Sequence, residues 1–169
     1  PAGFDFDAKS MQSYVDQLPS KEFKRAEVDR CAKIAKMKQY LVFLFSKNPY
    51  EGMIRNKANP KGVPGVVSMA NLSNIGVRPK GKDKTEVFKW NDFDIQQILD
   101  FFEHYAKVRE KSYGGEITKE EGVKMAAEDY LSMALVADWF GKEKAALEYA
   151  RKAIQLNPGL KSSMSHLLL

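Results

Sequence analysis

KNPYEGMIRNKANPKGVPGVVSMANLSNIGVRPKGKDKTEVFKW, Lys47 to Trp90, is the stretch whose reading decides the fold class, because helical patterns flank it on both sides. It contains Pro49, Pro60, Pro64 and Pro79 together with Gly52, Gly62, Gly65, Gly76 and Gly81, at no sustained spacing. Proline removes a backbone donor and glycine adds backbone freedom, so each weakens a regular element. The 44 residues are too many for a plain loop in a compact domain. Met53, Ile54, Val63, Val66, Val67, Met69, Leu72, Ile75 and Val77 make the stretch too apolar for disorder. The expectation is an ordered but irregular segment packed on helices, with Arg78–Lys84 as a mobile tip and a short strand at most over Thr85–Trp90. On that reading the chain is all-α, an antiparallel helical bundle or hairpin array with a long basic insertion over 47–90.

The same stretch carries the charge asymmetry. It holds nine Lys/Arg against three acids, while the remainder of the chain nets −1 within a total of +5. Arg55, Lys57, Lys61, Arg78, Lys80, Lys82 and Lys84 are the candidate contacts to an anionic surface. A solvated loop would show the same charges.

Outward from this segment, the helices are marked by period and caps. Asp7–Leu18 suits a short helix with Met11, Val15 and Leu18 on one side. Ser20 is a candidate N-cap for a long amphipathic helix to about Ser46, stopped by Asn48-Pro49. Asn91 and Asp94 form a capping-box variant, with Trp90 placed to staple onto Ile95. Ile95, Ile98, Leu99, Phe102, Tyr105 and Ala106 then make one stripe, ended by Gly114-Gly115. Thr118-Lys-Glu-Glu121 is a capping box for a helix to Phe140, Gly141 supplies its C-cap, and a last long helix covers Lys142 to Leu156. With 169 residues, 44% of them apolar, the whole of 1–169 reads as a single helical domain with a real core. No apolar run reaches the roughly 18 residues of a membrane span; the longest, Tyr40–Phe45, has six.

Residues 127–158 resemble a single tetratricopeptide repeat. Tyr130, Met133, Ala134, Ala146, Ala153 and Pro158 fall at the pattern positions, and the turn sits at Gly141. Ala134, Ala146 and Ala153 would let two helix backbones approach. Ala137 and Ala150 stand where the family carries aromatics, which leaves space for a neighbouring segment. The resemblance implies a protein-binding face on the first helix, mapping to Glu128, Leu131, Leu135, Asp138 and Trp139. Glu128, Ser132 and Asp138 stand where family members that clamp a carboxylate use Lys, Arg and Asn, so that clamp is not expected. Leu131, Leu135 and Trp139 suit an apolar partner or the core equally well.

No catalytic or metal-binding pattern stands out. Cys31, His104 and His166 are too few and too separate for a zinc site. Lys61-Gly-Val-Pro-Gly65 lacks the order of a phosphate loop. Asp92/Asp94 and Glu120/Glu121 sit at helix starts, where the dipole explains them. The expectation is a non-enzymatic interaction or assembly protein, an accessory subunit of a larger complex. It would use no cofactor and bind a protein partner with an acidic or membrane-proximal surface. The alternative is a nucleic-acid-binding accessory protein using 55–84. The residues specify no compartment.

Overall fold

The computed structural model describes residues 19–111 and 118–167, with Ser13, Asp16 and Gln17 before them. The helix expected over Asp7–Leu18 lies largely outside the described residues, as do Gly114-Gly115 and the side chains of Cys31 and His166. The chain forms two compact units, Pro1–Gln97 and Ile98–Leu169.

The first unit overturns the all-α expectation. Its long helix α1, Lys21–Lys47, starts after Ser20 and stops before Pro49, as the sequence predicts. The segment that follows is a four-stranded antiparallel meander, not an irregular insertion. The strands are β1 (Glu51–Asn56), β2 (Asn59–Ala70), β3 (Asn74–Pro79) and β4 (Glu86–Lys89), in that spatial order. The fold is therefore α+β.

Three local devices let this proline- and glycine-rich text form a sheet. Pro64 lies in the central strand β2, opposite Met53. Its carbonyl accepts from Lys80 N–H at 2.8 Å. In an antiparallel strand the N–H of that residue would point the same way, to where β3 has already ended at Pro79, so its loss leaves no ladder partner stranded. Two register shifts, between Ile54 and Asn56 of β1 and between Val67 and Met69 of β2, insert extra residues. The loops are held by side chains: Asn56 Oδ1 accepts from Asn59 N–H, and Asn71 Oδ1 accepts from the N–H groups of Ser73 and Asn74, each at 2.8 Å.

One face of the sheet is core. Ile54, Val67, Ile75 and Val77 are buried, as are Met37, Leu41, Leu44 and Phe45 of α1, which lies against β2. At a general 25 cal/mol per Å² of apolar surface, each large side chain of this layer stabilises the unit by roughly 2 kcal/mol. Trp90 is fully buried just after β4. A 3₁₀ turn, Trp90–Asp92, then leads into α2, Ile95–Lys111. The cap of α2 is Asp94 and not Asn91: the Asp94 carboxylate accepts from Gln97 N–H at 2.8 Å, the N-cap-to-N3 spacing.

The second unit is helical. In it α2 continues with Ile98, Leu99, Phe101, Phe102, Tyr105 and Ala106 buried. Helices α3 (Lys119–Trp139) and α4 (Glu143–Leu156) form a hairpin, and a 3₁₀ run, Pro158–Leu167, returns against both. The turn is a Schellman motif. Gly141 takes φ +68°, its N–H donates to Asp138 O, and Lys142 N–H donates to Ala137 O. Ala134 and Ala137 of α3 and Ala146, Ala150 and Ala153 of α4 are all buried. Small side chains at such a seam permit close backbone approach.

Thr118 caps α3 as its sequence predicts. Glu121 N–H donates to Thr118 Oγ1, and the Glu121 carboxylate accepts from Thr118 N–H. The bonds donated to the carboxylate by Thr118 N–H and by the Thr118 hydroxyl, each at 2.9 Å, hold the Glu121 carboxyl below its ordinary value. A depressed carboxylate stabilises the fold above its unfolded-state pKa, and that contribution fades as pH falls through the folded value. Thr118→Ala should cost about 1 kcal/mol near neutral pH. Urea titrations at pH 7 and in acid should show this difference shrinking as Glu121 protonates.

Candidate functional site

The sheet has a second face, and its register shows what lies there. Glu51 pairs with Val66, Met53 with Pro64, Val66 with Arg78, Met69 with Gly76, and Gly76 with Val87. Because strand side chains alternate, these residues project opposite to Ile54, Val67 and Val77. Met53 and Met69 are each 51% exposed and Val87 is 59% exposed. Gly76 makes room for Met69: a Cβ on Gly76 would fall 2.3 Å from Met69 Cγ. The extra residue Ser68 turns Met69 outward, and its hydroxyl lies 3.2 Å from Thr85 Oγ1. Two methionines and a valine thus turn apolar surface to solvent on one sheet face.

Cations line the Met53 end of this face. Arg78 lies in a row with Glu51 and Val66, and Lys80 follows beside Pro64. A groove of about 340 Å³ is lined by Met53, Pro64 and Val66 together with Arg78, Lys80 and Lys82. Glu51 is the one acid lining it. Lys82 also contacts Glu86 at 3.3 Å, an exposed pair that is worth little in water. Arg55 lies just beyond, its Cγ packed against the space a Gly62 Cβ would fill. Lys61 is exposed on β2, and Lys57 and Lys84 are exposed in the β1–β2 and β3–β4 loops. Of the seven predicted cations, the structure thus gathers Arg78, Lys80 and Lys82 at one groove.

Two backbone groups on the outer edge of β1 are already engaged. Arg55 N–H donates to Gln97 Oε1 at 2.8 Å, and Met53 O accepts from the Tyr50 hydroxyl at 3.3 Å. Consuming such groups protects an edge against pairing with another strand. What the sheet offers at this end is its face.

The predicted face of the helical hairpin is arranged differently. Leu131 and Leu135 are buried, at 2% and 5% exposure. Asp138 and Trp139 are half-buried, and Glu128 alone is well exposed. Helix α3 buries residues on every side in its middle, so its leucines belong to the core of the second unit. A cleft of about 500 Å³ in that unit is lined by Glu103, Glu110 and Glu148 against Lys107, Lys111 and Lys152, with Tyr130 and Tyr149. Its charges balance in number, and four of the six pair within it: Lys152 bonds Glu110 at 3.0 Å and lies over the Tyr130 ring, and Lys107 pairs with Glu103 at 2.7 Å. Burial, with the negative charges of Glu110, Glu103 and Asp129, pushes the Tyr130 phenol up to about 12, so it stays protonated. Burial lowers the His104 imidazole, which stays neutral at pH 7.

Among the described residues no cluster of three or more His, Cys, Asp and Glu is placed to hold a metal ion, and no helix is long and apolar enough to cross a membrane. Sequence reasoning missed Met53, Met69 and Val87 as surface residues, because it packed the segment's apolar side chains onto helices. The signal that separates them is strand alternation, which the register shifts interrupt. Comparison of the chain with protein-family models, with curated proteins and with solved structures finds no match in any of the three.

Proposed function

We propose that the chain is a non-enzymatic interaction or assembly protein, an accessory subunit that contacts another protein through the open face of its four-stranded sheet. The observation that carries this reading is the set Met53, Met69 and Val87, half-exposed or more on one face, with Arg78, Lys80 and Lys82 gathered at its Met53 end. Such a face has an apolar centre to desolvate and a charged rim to orient a partner, the usual anatomy of an interface. A nucleic-acid reading fits the cations, but single strands bind sheets by stacking bases on aromatic rings. Here the projecting side chains are aliphatic.

The test uses the exposed end of the face nearest β4. A photo-crosslinking residue at position 87 should capture a protein partner from native extract. Met53→Asp with Met69→Asp should abolish that product while costing no more than about 1 kcal/mol each, since both side chains are half-exposed on the sheet. A folded double variant that still yields the same adduct would sink the proposal.

A further inference from the structure

We infer that the groove between Met53, Pro64 and Val66 and the cations Arg78, Lys80 and Lys82 seats an acidic, extended peptide segment of the partner, with an apolar residue anchored between flanking carboxylates. This rests on the reading of the sheet face as a protein contact, and it names the chemistry of what docks there.

Three observations select this occupant. First, the groove is amphipathic: methionine, proline and valine make one wall, and two lysines and an arginine make the other, against the single acid Glu51. A phosphate or other small anion would use the cations and waste the apolar wall. A purely apolar segment would bring no negative charge to Arg78 and Lys80, and Lys82 would keep only its exposed contact to Glu86. Second, about 340 Å³ suits one or two side chains at the lower end of ligand sites, not a folded surface. Third, the β1 edge groups on Met53 and Arg55 are already bonded to Tyr50 and Gln97, so the segment lies across the face and is not added as a fifth strand. Lys80 and Lys82 are exposed, so they act through the field at the rim. Arg78 offers the planar fork that grips a carboxylate in two places.

The charge-matched cleft of the second unit makes the contrast. Lys152 answers Glu110 and Lys107 answers Glu103, and Lys111 and Glu148 add one charge of each sign, so it has no comparable net demand for a charged ligand.

Fluorescence anisotropy on the full chain tests the proposal with four probes. They are a labelled peptide repeating Glu-Asp-Leu, the same peptide with Ser for Leu, a labelled oligouridine, and phosphatidylserine vesicles carrying a labelled lipid. The Glu-Asp-Leu peptide should bind best and weaken as the Debye length falls from about 30 Å to about 8 Å with added salt. Arg78→Gln/Lys80→Gln/Lys82→Gln should weaken it at least about tenfold, and Met53→Ser should weaken it at low and high salt alike. The glutamine variant keeps the fold testable, since it places no new charge beside Glu86. Equal binding of the Ser peptide would overturn the apolar anchor. Tighter binding of oligouridine or of the vesicles, lost in the same variant, would overturn the peptide in favour of nucleic acid or membrane. No binding by any probe would overturn the inference outright. If the position-87 adduct survives in the glutamine variant, the groove assignment fails while the sheet face as a protein contact stands.

Discussion

Arg109→Ala is expected to destabilise the second unit by about 3–5 kcal/mol. Arg109 Nη1 lies 3.3 Å from Asp129 Oδ2, and the two side chains are only 19% and 6% exposed. The pair ties α2 to α3. Removing the guanidinium takes the countercharge from a carboxylate that is only 6% exposed, and the whole stability of a domain is only about 5–15 kcal/mol. The companion experiment separates the charge from the packing. Arg109→Met combined with Asp129→Leu should recover most of the loss, because an apolar pair of similar volume carries no desolvation cost. Urea melts of the two singles and the double give the coupling directly. A single Arg109→Ala variant within about 1 kcal/mol of the parent would show that the contact is held in water, against its burial.

Trp90→Ala is expected to cost the first unit at least about 3–5 kcal/mol. The indole is fully buried, and its Nε1–H donates to Asn71 O at 2.8 Å. Asn71 in turn organises the β2–β3 loop through its side chain. The ring also lies 5.4 Å from Lys38 Nζ, a contact between α1 and the end of the sheet. Trp90→Phe keeps most of the volume and loses the donor, so it should cost about 1 kcal/mol for the lost hydrogen bond to the exposed Asn71. The difference between the alanine and phenylalanine variants in denaturant midpoint measures packing against hydrogen bonding. Equal losses would mean the Asn71 bond, and not the volume, dominates.

The helical part of the molecule was legible because its signals are local. The Thr118/Glu121 box, the Gly141 turn and the stop at Pro49 each act within a few residues, and each appears where the sequence placed it. Asp94 displaced Asn91 as the cap of α2 because Trp90–Asp92 closes a 3₁₀ turn first. The sheet was not legible for a physical reason. Its period-2 signal is cut by Pro60, Pro64 and Pro79 and by two register shifts, and each of those residues is excused only by what lies across from it. Pro64 is tolerated because β3 ends at Pro79, and Gly76 because Met69 lies over it. Neither fact exists within any window of the sequence.

The sequence by itself determined where α1, α3 and α4 start and stop, and that the basic excess lies within residues 47–90. Capping, turns and net charge depend on neighbours along the chain. Tertiary structure alone decided that this segment is a sheet, which face of it is core, and that Arg78, Lys80 and Lys82 meet Met53, Pro64 and Val66 at one groove. It also decided that Leu131 and Leu135 are interior. Strand register and burial are set by pairing between distant residues, and a pattern read along one chain carries no record of what will stand opposite.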